Sequence, residues 1–245
     1  MNDNISEIKD NYRSIREEIV RTAKRCGRDA DSIRIVAVTK THPAAVIDAG
    51  LQGGIRIIGE SKVQEAEQKL PQLKERYEEF HFIGHLQKNK INKLLFLNPD
   101  LIHSIDKLST AEALNRALER EDRRQAILIQ INTSGEESKF GLPADYKVIK
   151  DFVKEVSKLE ALEVKGLMTI GKFTDNEDEI RSCLRLLKKN FEALREEGIS
   201  GIKMEILSMG MTDDYLIAIE EGANILRIGT AIFGQRPAKK PETEN

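Results

Sequence analysis

The chain has 245 residues, 40% hydrophobic and 33% charged, enough for one large α/β domain with a sizeable core and a well-solvated surface. Its 39 basic and 41 acidic residues leave a formal net charge of −2, which argues against nucleic acid or an anionic membrane surface as a partner. No apolar run approaches the ~20 residues of a membrane span, and the charged N-terminal stretch MNDNISEIKDNYRSIREEIVRTAKRCG has no signal-peptide core. With only two isolated cysteines, Cys26 and Cys183, read as structural thiols, a reduced cytoplasmic protein is expected.

Residues 4–25 place Ile5, Ile8, Tyr12, Ile15, Ile19 and Ala23 at helical spacing, and Gly27 is the expected C-terminal cap. Next, Ile33, Ile35, Val36, Ala37 and Val38 form a nearly unbroken apolar run, the composition of a strand buried on both faces in a parallel sheet. A strand is predicted over 33–40, ending on Thr39-Lys40, and Pro43 opens a helix where its missing N–H costs nothing. The alternation then continues through helix 43–52, strand 55–59, helix 62–78, strand 80–84, helix 87–97, strand 101–105, helix 108–121 and strand 126–131. Helix 144–158, strand 164–170, helix 177–197, strand 204–207, helix 213–221 and strand 225–228 complete it. Eight strand–helix units without a linker predict an α/β fold: a single (β/α)8 TIM barrel preceded by an N-terminal amphipathic helix, together spanning 1–236. The polar tail 237–245 is expected to be disordered. A doubly wound sheet is the alternative, but no G-x-G-x-x-G follows the first strand.

Barrel enzymes carry their chemistry at the C-terminal ends of the strands. There the sequence offers Lys40, Glu60, Gly84-His85, Ser104 to Asp106, Asn132, Met168-Thr169, Ser208-Met209-Gly210 and Arg227-Gly229-Thr230. A lysine at such a mouth is poorly hydrated, and desolvation favours the neutral amine that attacks a carbonyl. Lys40 is therefore either a Schiff-base lysine or a side chain snorkelling off a strand end. The loops after strands seven and eight, where barrels commonly hold a phosphate, read SMGMTDD and RIGTAIFG; they offer Ser208, Gly229 and Thr230. Lysine and phosphate loops together point to an aldehyde-bearing phosphate ligand. Arg227 interrupts an apolar strand; facing outwards it would pair with a helix carboxylate, facing inwards it would meet a phosphate or a ring nitrogen. The histidines argue against a metal, since His81 and His85 share no helix face and His42 and His103 have no spaced partners.

The motifs AVTKTHP (37–43), GESKVQE (59–65), FHFIGHLQKNK (80–90), INTSGEESKFG (131–141), GLMTI (166–170), SMGMTDD (208–214) and LRIGTAIFG (226–234) together resemble the YggS/PROSC family of pyridoxal-phosphate homeostasis proteins, over residues 5 to 236. The resemblance implies a barrel like the N-terminal domain of alanine racemase, holding pyridoxal 5′-phosphate. It implies Lys40 as the Schiff-base lysine, Ser208, Gly229 and Thr230 as phosphate contacts, and Arg227 near the pyridine nitrogen. This chain has Gly59-Glu60-Ser61 where the family more often has Gly-Glu-Asn, and Met211-Thr212 for the usual Met-Ser.

Two functions follow from that resemblance. One is a carrier or buffer that holds the cofactor as a lysine aldimine and passes it on, apo pyridoxal-phosphate enzymes being its acceptors. The other is an amino-acid racemase, which needs a second acid–base group on the far face of the substrate, supplied in such enzymes by a separate domain across a dimer. Eleven residues follow Gly234, and Tyr215 is the only tyrosine near the inferred mouth, where a packing role is expected. The expectation is a monomeric carrier without robust catalysis. A third reading is a barrel for another phosphorylated metabolite, with Lys40 pairing the phosphate.

Overall fold

The computed structural model describes residues 2–235; the tail 237–245 lies outside the described residues. Eight parallel strands close into a barrel: β1 (Arg34–Val38), β2 (Ile57–Glu60), β3 (Glu79–Phe82), β4 (Leu101–Ile105), β5 (Gln125–Asn132), β6 (Leu162–Met168), β7 (Ile202–Ser208) and β8 (Ile225–Ile228). Each pairs with the next in sequence, and β8 returns to β1 with Ile225 opposite Arg34 and Arg227 opposite Val36. The predicted (β/α)8 barrel is the observed one.

Helix α1 (Asn2–Arg25) precedes the barrel and buries Ile8, Ile15, Ile19 and Ala23 against the helices α2 (Ala44–Gln52), α8 (Tyr215–Glu220) and α9 (Thr230–Phe233). Gly27 ends it in a left-handed conformation, φ +67°, while the Arg28 N–H reaches back to the Ala23 carbonyl at 2.8 Å. The remaining helices, α3 (Val63–Lys69), α4 (Ile91–Phe96), α5 (Leu108–Glu119), α6 (Tyr146–Val156) and α7 (Glu177–Glu197), cover the outside of the strands. Among the described residues no helix is long and apolar enough to cross a membrane.

The helix predicted over 62–78 is much shorter. It stops at Lys69, and Leu70–Gln72 form one tighter turn, because Pro71 has no N–H to continue the ladder. The extended chain beyond is pinned by the buried Asp48, whose carboxylate accepts the N–H groups of Lys74 and Glu75 at 3.0 and 3.1 Å. The helix predicted over 87–97 likewise begins as a tight turn, Lys88–Lys90, and is α-helical only over 91–96.

Two apolar clusters result. The larger lies between strands and helices; the smaller fills the barrel with Val36, Ile57, Leu101, Leu128, Met168 and Ile225. Several strands also send polar groups inward, and these build the site.

Candidate functional site

A cleft opens at the C-terminal end of the barrel, with Lys40, Thr212, Arg227, Gly229 and Thr230 around it and Val38, Ile83, Ile170, Phe173 and Met211 as its apolar walls. The turn that carries Lys40 is held from below. Thr39 is fully buried and donates its N–H to the Gly59 carbonyl at 3.0 Å and its hydroxyl to Glu60 Oε1 at 2.7 Å. Thr41 takes a left-handed φ of +70°, costly for a β-branched residue, and its N–H donates to Glu65 Oε2 at 2.8 Å. Lys69 ties these together, its Nζ donating to the Thr39 carbonyl (3.0 Å), Glu60 Oε1 (3.0 Å) and Glu65 Oε2 (2.8 Å). Burial raises the Glu60 carboxyl pKa, and its buried Oε2 has no hydrogen-bond partner among the described residues. Burial would raise Glu65 as well, but the hydrogen bonds from Lys69 and the Thr41 N–H hold its carboxyl below the usual range.

On the other side of the cleft Arg227 faces inwards, which decides between its two possible orientations. It is 5% exposed, and its Nη1 donates to Ser208 Oγ and its Nη2 to the Thr169 carbonyl, both at 2.7 Å. Among the described residues no carboxylate lies within ion-pair distance of it; burial pushes its pKa down to about 10, opposed by the field of Asp214. The direct hydrogen-bond partners of this buried guanidinium are neutral dipoles, and the carboxylates near it are Asp214, felt through its field, and Asp213 on the cleft wall.

Lys40, Arg227, Gly229 and Thr230 therefore converge on one cleft. Ser208 does not line it. It is fully buried beneath the cleft floor, with its hydroxyl taken up between Arg227 and His103 Nδ1 (3.0 Å). The hydroxyl that lines the cleft from that loop is Thr212. Gly210 makes this possible: at φ +91° the chain turns so sharply that a Cβ would sit 2.5 Å from Ala218 Cβ. Tyr215 points away, its phenol donating to Glu18 on α1.

Sequence reasoning missed Lys69, Thr212 and the roles of His81 and His103. Strand alternation is the available signal for His103, two residues from the interior Leu101. Among the described residues no three His, Cys, Asp or Glu gather as metal ligands.

The donor set suits one class of ligand. Apolar walls accept a flat ring, and the same cleft is lined by an amine, a buried cation and the hydroxyls of Thr212 and Thr230. A planar, phosphorylated aldehyde fits these groups.

Comparison with known proteins agrees. The model of the alanine racemase N-terminal domain family matches residues 4–237. The pyridoxal phosphate homeostasis protein of Aquifex aeolicus is 36% identical over 221 residues, 90% of this chain and 94% of that one. The structure of Synechococcus elongatus PipY with pyridoxal phosphate bound superposes with a TM-score of 0.79 at 28% identity, covering 93% of this chain and 100% of that one. Alanine racemase of Clostridium difficile, at 16% identity and a TM-score of 0.76, shares the barrel, which spans 58% of that chain. Matched along nearly its whole length, the chain belongs to the alanine racemase N-terminal domain family and, within it, to the pyridoxal phosphate homeostasis proteins.

Proposed function

We propose that this chain binds pyridoxal 5′-phosphate through a Schiff base to Lys40 and acts in vitamin B6 homeostasis as a cytoplasmic carrier or buffer, as a monomer, with apo pyridoxal-phosphate enzymes as acceptors. The observation that carries the reading is that the Lys40 amine and the buried Arg227 line one cleft with apolar walls. When bound, the cofactor supplies an aldehyde carbon for the amine and an electron-withdrawing ring. Lys40 fixes its aldehyde edge. Thr212, Thr230 and the Gly229 backbone hold its phosphate, and Ser208 contributes by anchoring Arg227. Arg227 can only donate hydrogen bonds, so it keeps a facing ring nitrogen unprotonated and the ring a weak electron sink.

That electronic setting favours holding over turnover. A racemase also needs acid–base groups on both faces of the substrate, and the Tyr215 phenol is engaged by Glu18 instead of facing the cleft. The test is a spectrum of the purified protein before and after borohydride, with the adduct located by mass. Lys40→Ala should abolish both the visible band and the adduct; an adduct mapping to Lys62 or Lys139 would reject the assignment. Incubation with L-alanine in deuterated water should give no appreciable D-alanine, whereas rapid racemisation would overturn the carrier reading.

A further inference from the structure

The barrel interior contains a line of polar side chains where layers of Val, Ile and Leu are usual. From the cleft downwards, Arg227 Nη1 bonds Ser208 Oγ at 2.7 Å, Ser208 Oγ bonds His103 Nδ1 at 3.0 Å, His103 Nε2 bonds His81 Nδ1 at 3.0 Å, and His81 Nε2 bonds Glu79 Oε2 at 2.8 Å. Glu79 also takes a hydrogen bond from Arg34; both are half-exposed at the opposite, N-terminal end of the barrel. Ser208, His103 and His81 are fully buried.

The ends of this line fix its direction. A guanidinium has no acceptor, so Ser208 Oγ must accept from Arg227. The Glu79 carboxyl, held low by the hydrogen bond from His81, stays an acceptor, so His81 Nε2 carries a hydrogen. Burial holds the pKa values of both histidines down, His103 well below the ordinary value, so each ring carries a single proton at neutral pH. His81 Nδ1 is then an acceptor, His103 Nε2 a donor and His103 Nδ1 an acceptor, leaving the Ser208 hydroxyl to donate to it. Every partner is satisfied in one arrangement only. An extra proton on His81 would reverse both histidines and turn a second donor onto Ser208 Oγ. Burying so many polar groups costs more than apolar packing would, and a fully satisfied network repays that cost chiefly in specificity.

We infer that His81 and His103 are positioning residues for Arg227, forming a hydrogen-bond relay of fixed direction that ties the floor of the cleft to the Arg34–Glu79 pair at the far end of the barrel. The relay commits the Ser208 hydrogen to His103 Nδ1, which sets the direction of the oxygen lone pair that Arg227 meets and so fixes the guanidinium plane. Its consequence for a bound cofactor rests on the pyridoxal-phosphate reading; the relay itself does not.

Nitrogen-15 NMR of the ligand-free protein tests it directly. Both histidines should be Nε2–H tautomers at pH 7, and Arg227 should show slowly exchanging Nη–H signals. His103→Phe should erase those Arg227 signals, while His103→Gln, which can accept from Ser208 and donate to His81, should restore them. In the pyridoxal-phosphate-loaded protein His103→Phe should weaken retention about tenfold, the equivalent of one hydrogen bond, and shift the pH at which the visible band titrates. An Nδ1–H tautomer or a charged histidine at pH 7, or Arg227 signals unchanged in His103→Phe, would overturn the relay. Should His103→Phe not fold, Ser208→Ala cuts the same line, and sharp Arg227 signals in that variant would equally reject it. A protein that binds no pyridoxal phosphate would sink the proposed function while the ligand-free NMR still decides on the relay.

Discussion

Lys69, outside the barrel on α3, and Arg227, inside it on β8, are both withdrawn from water, yet their surroundings differ in kind. Lys69 is 13% exposed at its side chain and meets two carboxylates, Glu60 and Glu65, together with the Thr39 carbonyl. Its charge is cancelled locally, and it serves the backbone turn beneath Lys40. Arg227 is buried more deeply and meets a hydroxyl and a carbonyl, with no carboxylate in ion-pair range among the described residues. Its charge stays available to the cleft. A cation that holds a fold together is paired within the protein; a cation kept for a ligand is solvated by dipoles and left unpaired.

That contrast is broken most forcefully at Lys69. Lys69→Met leaves the buried Glu60 without its cation and the half-buried Glu65 with only the exposed Lys62 at 3.7 Å, and should destabilise the protein by about 3–5 kcal/mol in urea unfolding. Adding Glu60→Gln should recover much of that loss. Arg227→Met should reverse the pattern: a smaller stability loss, because a buried charge goes with the hydrogen bonds, but ten- to hundredfold weaker cofactor retention, from a charged hydrogen bond worth roughly 1.5–3 kcal/mol. If Arg227→Met were the more destabilising of the two while retaining cofactor normally, the two cations would have been assigned the wrong way round.

Arg227 and Lys40 were legible because each is a charge where an apolar run predicts none. Lys69 was not, since a lysine in a helix rich in Glu and Gln looks like any solvated face until the fold brings Glu60 beneath it. The eight strands could be read from their β-branched runs, with ends displaced by at most two residues; the helix over 62–78 failed because charge-rich periodicity outweighed the stop at Pro71. The loop expected to hold a phosphate does reach the cleft, but through a different hydroxyl from the expected one. Sequence order puts Ser208 first in SMGMT, yet it still belongs to β7 and points below the floor, and only the turn at Gly210 brings Thr212 to the cleft.

Those two hydroxyls sharpen the comparison further. Thr212→Val should weaken binding of the phosphorylated cofactor about tenfold while leaving non-phosphorylated pyridoxal nearly unchanged, since only a phosphate contact is lost. Ser208→Ala acts through Arg227 and should weaken both ligands alike. Titrating each variant with both ligands separates the cases; a phosphate-selective loss in Ser208→Ala would return that residue to the phosphate site.

The smallest effect expected is on stability against pH, and it comes from the histidines that support Arg227. Burial holds the folded pKa values of His81 and His103 below their unfolded value near 6.5, while Glu79 and Asp100 pull His81 back up and Arg34 and Arg227 push the pair further down. Below about pH 6.5 the unfolded chain takes up protons that the folded one refuses, so stability falls as the solution is acidified through that range. A histidine held neutral contributes ~1.4 kcal/mol of this loss by pH 5.5. Glu79, with its lowered pKa, adds a loss of the same sign only at still lower pH, whereas Glu60, raised by burial, acts oppositely: its contribution is present in acid and lost as pH rises through its folded value. Comparing His103→Gln with the parent in urea unfolding at pH 7 and 5.5 isolates the histidine, because the carboxylates are common to both. The parent should lose about 1.3 kcal/mol more than the variant over that interval. Parallel losses would mean that His103 accepts a proton within the folded barrel, and a relay that accepts a proton there has no fixed direction.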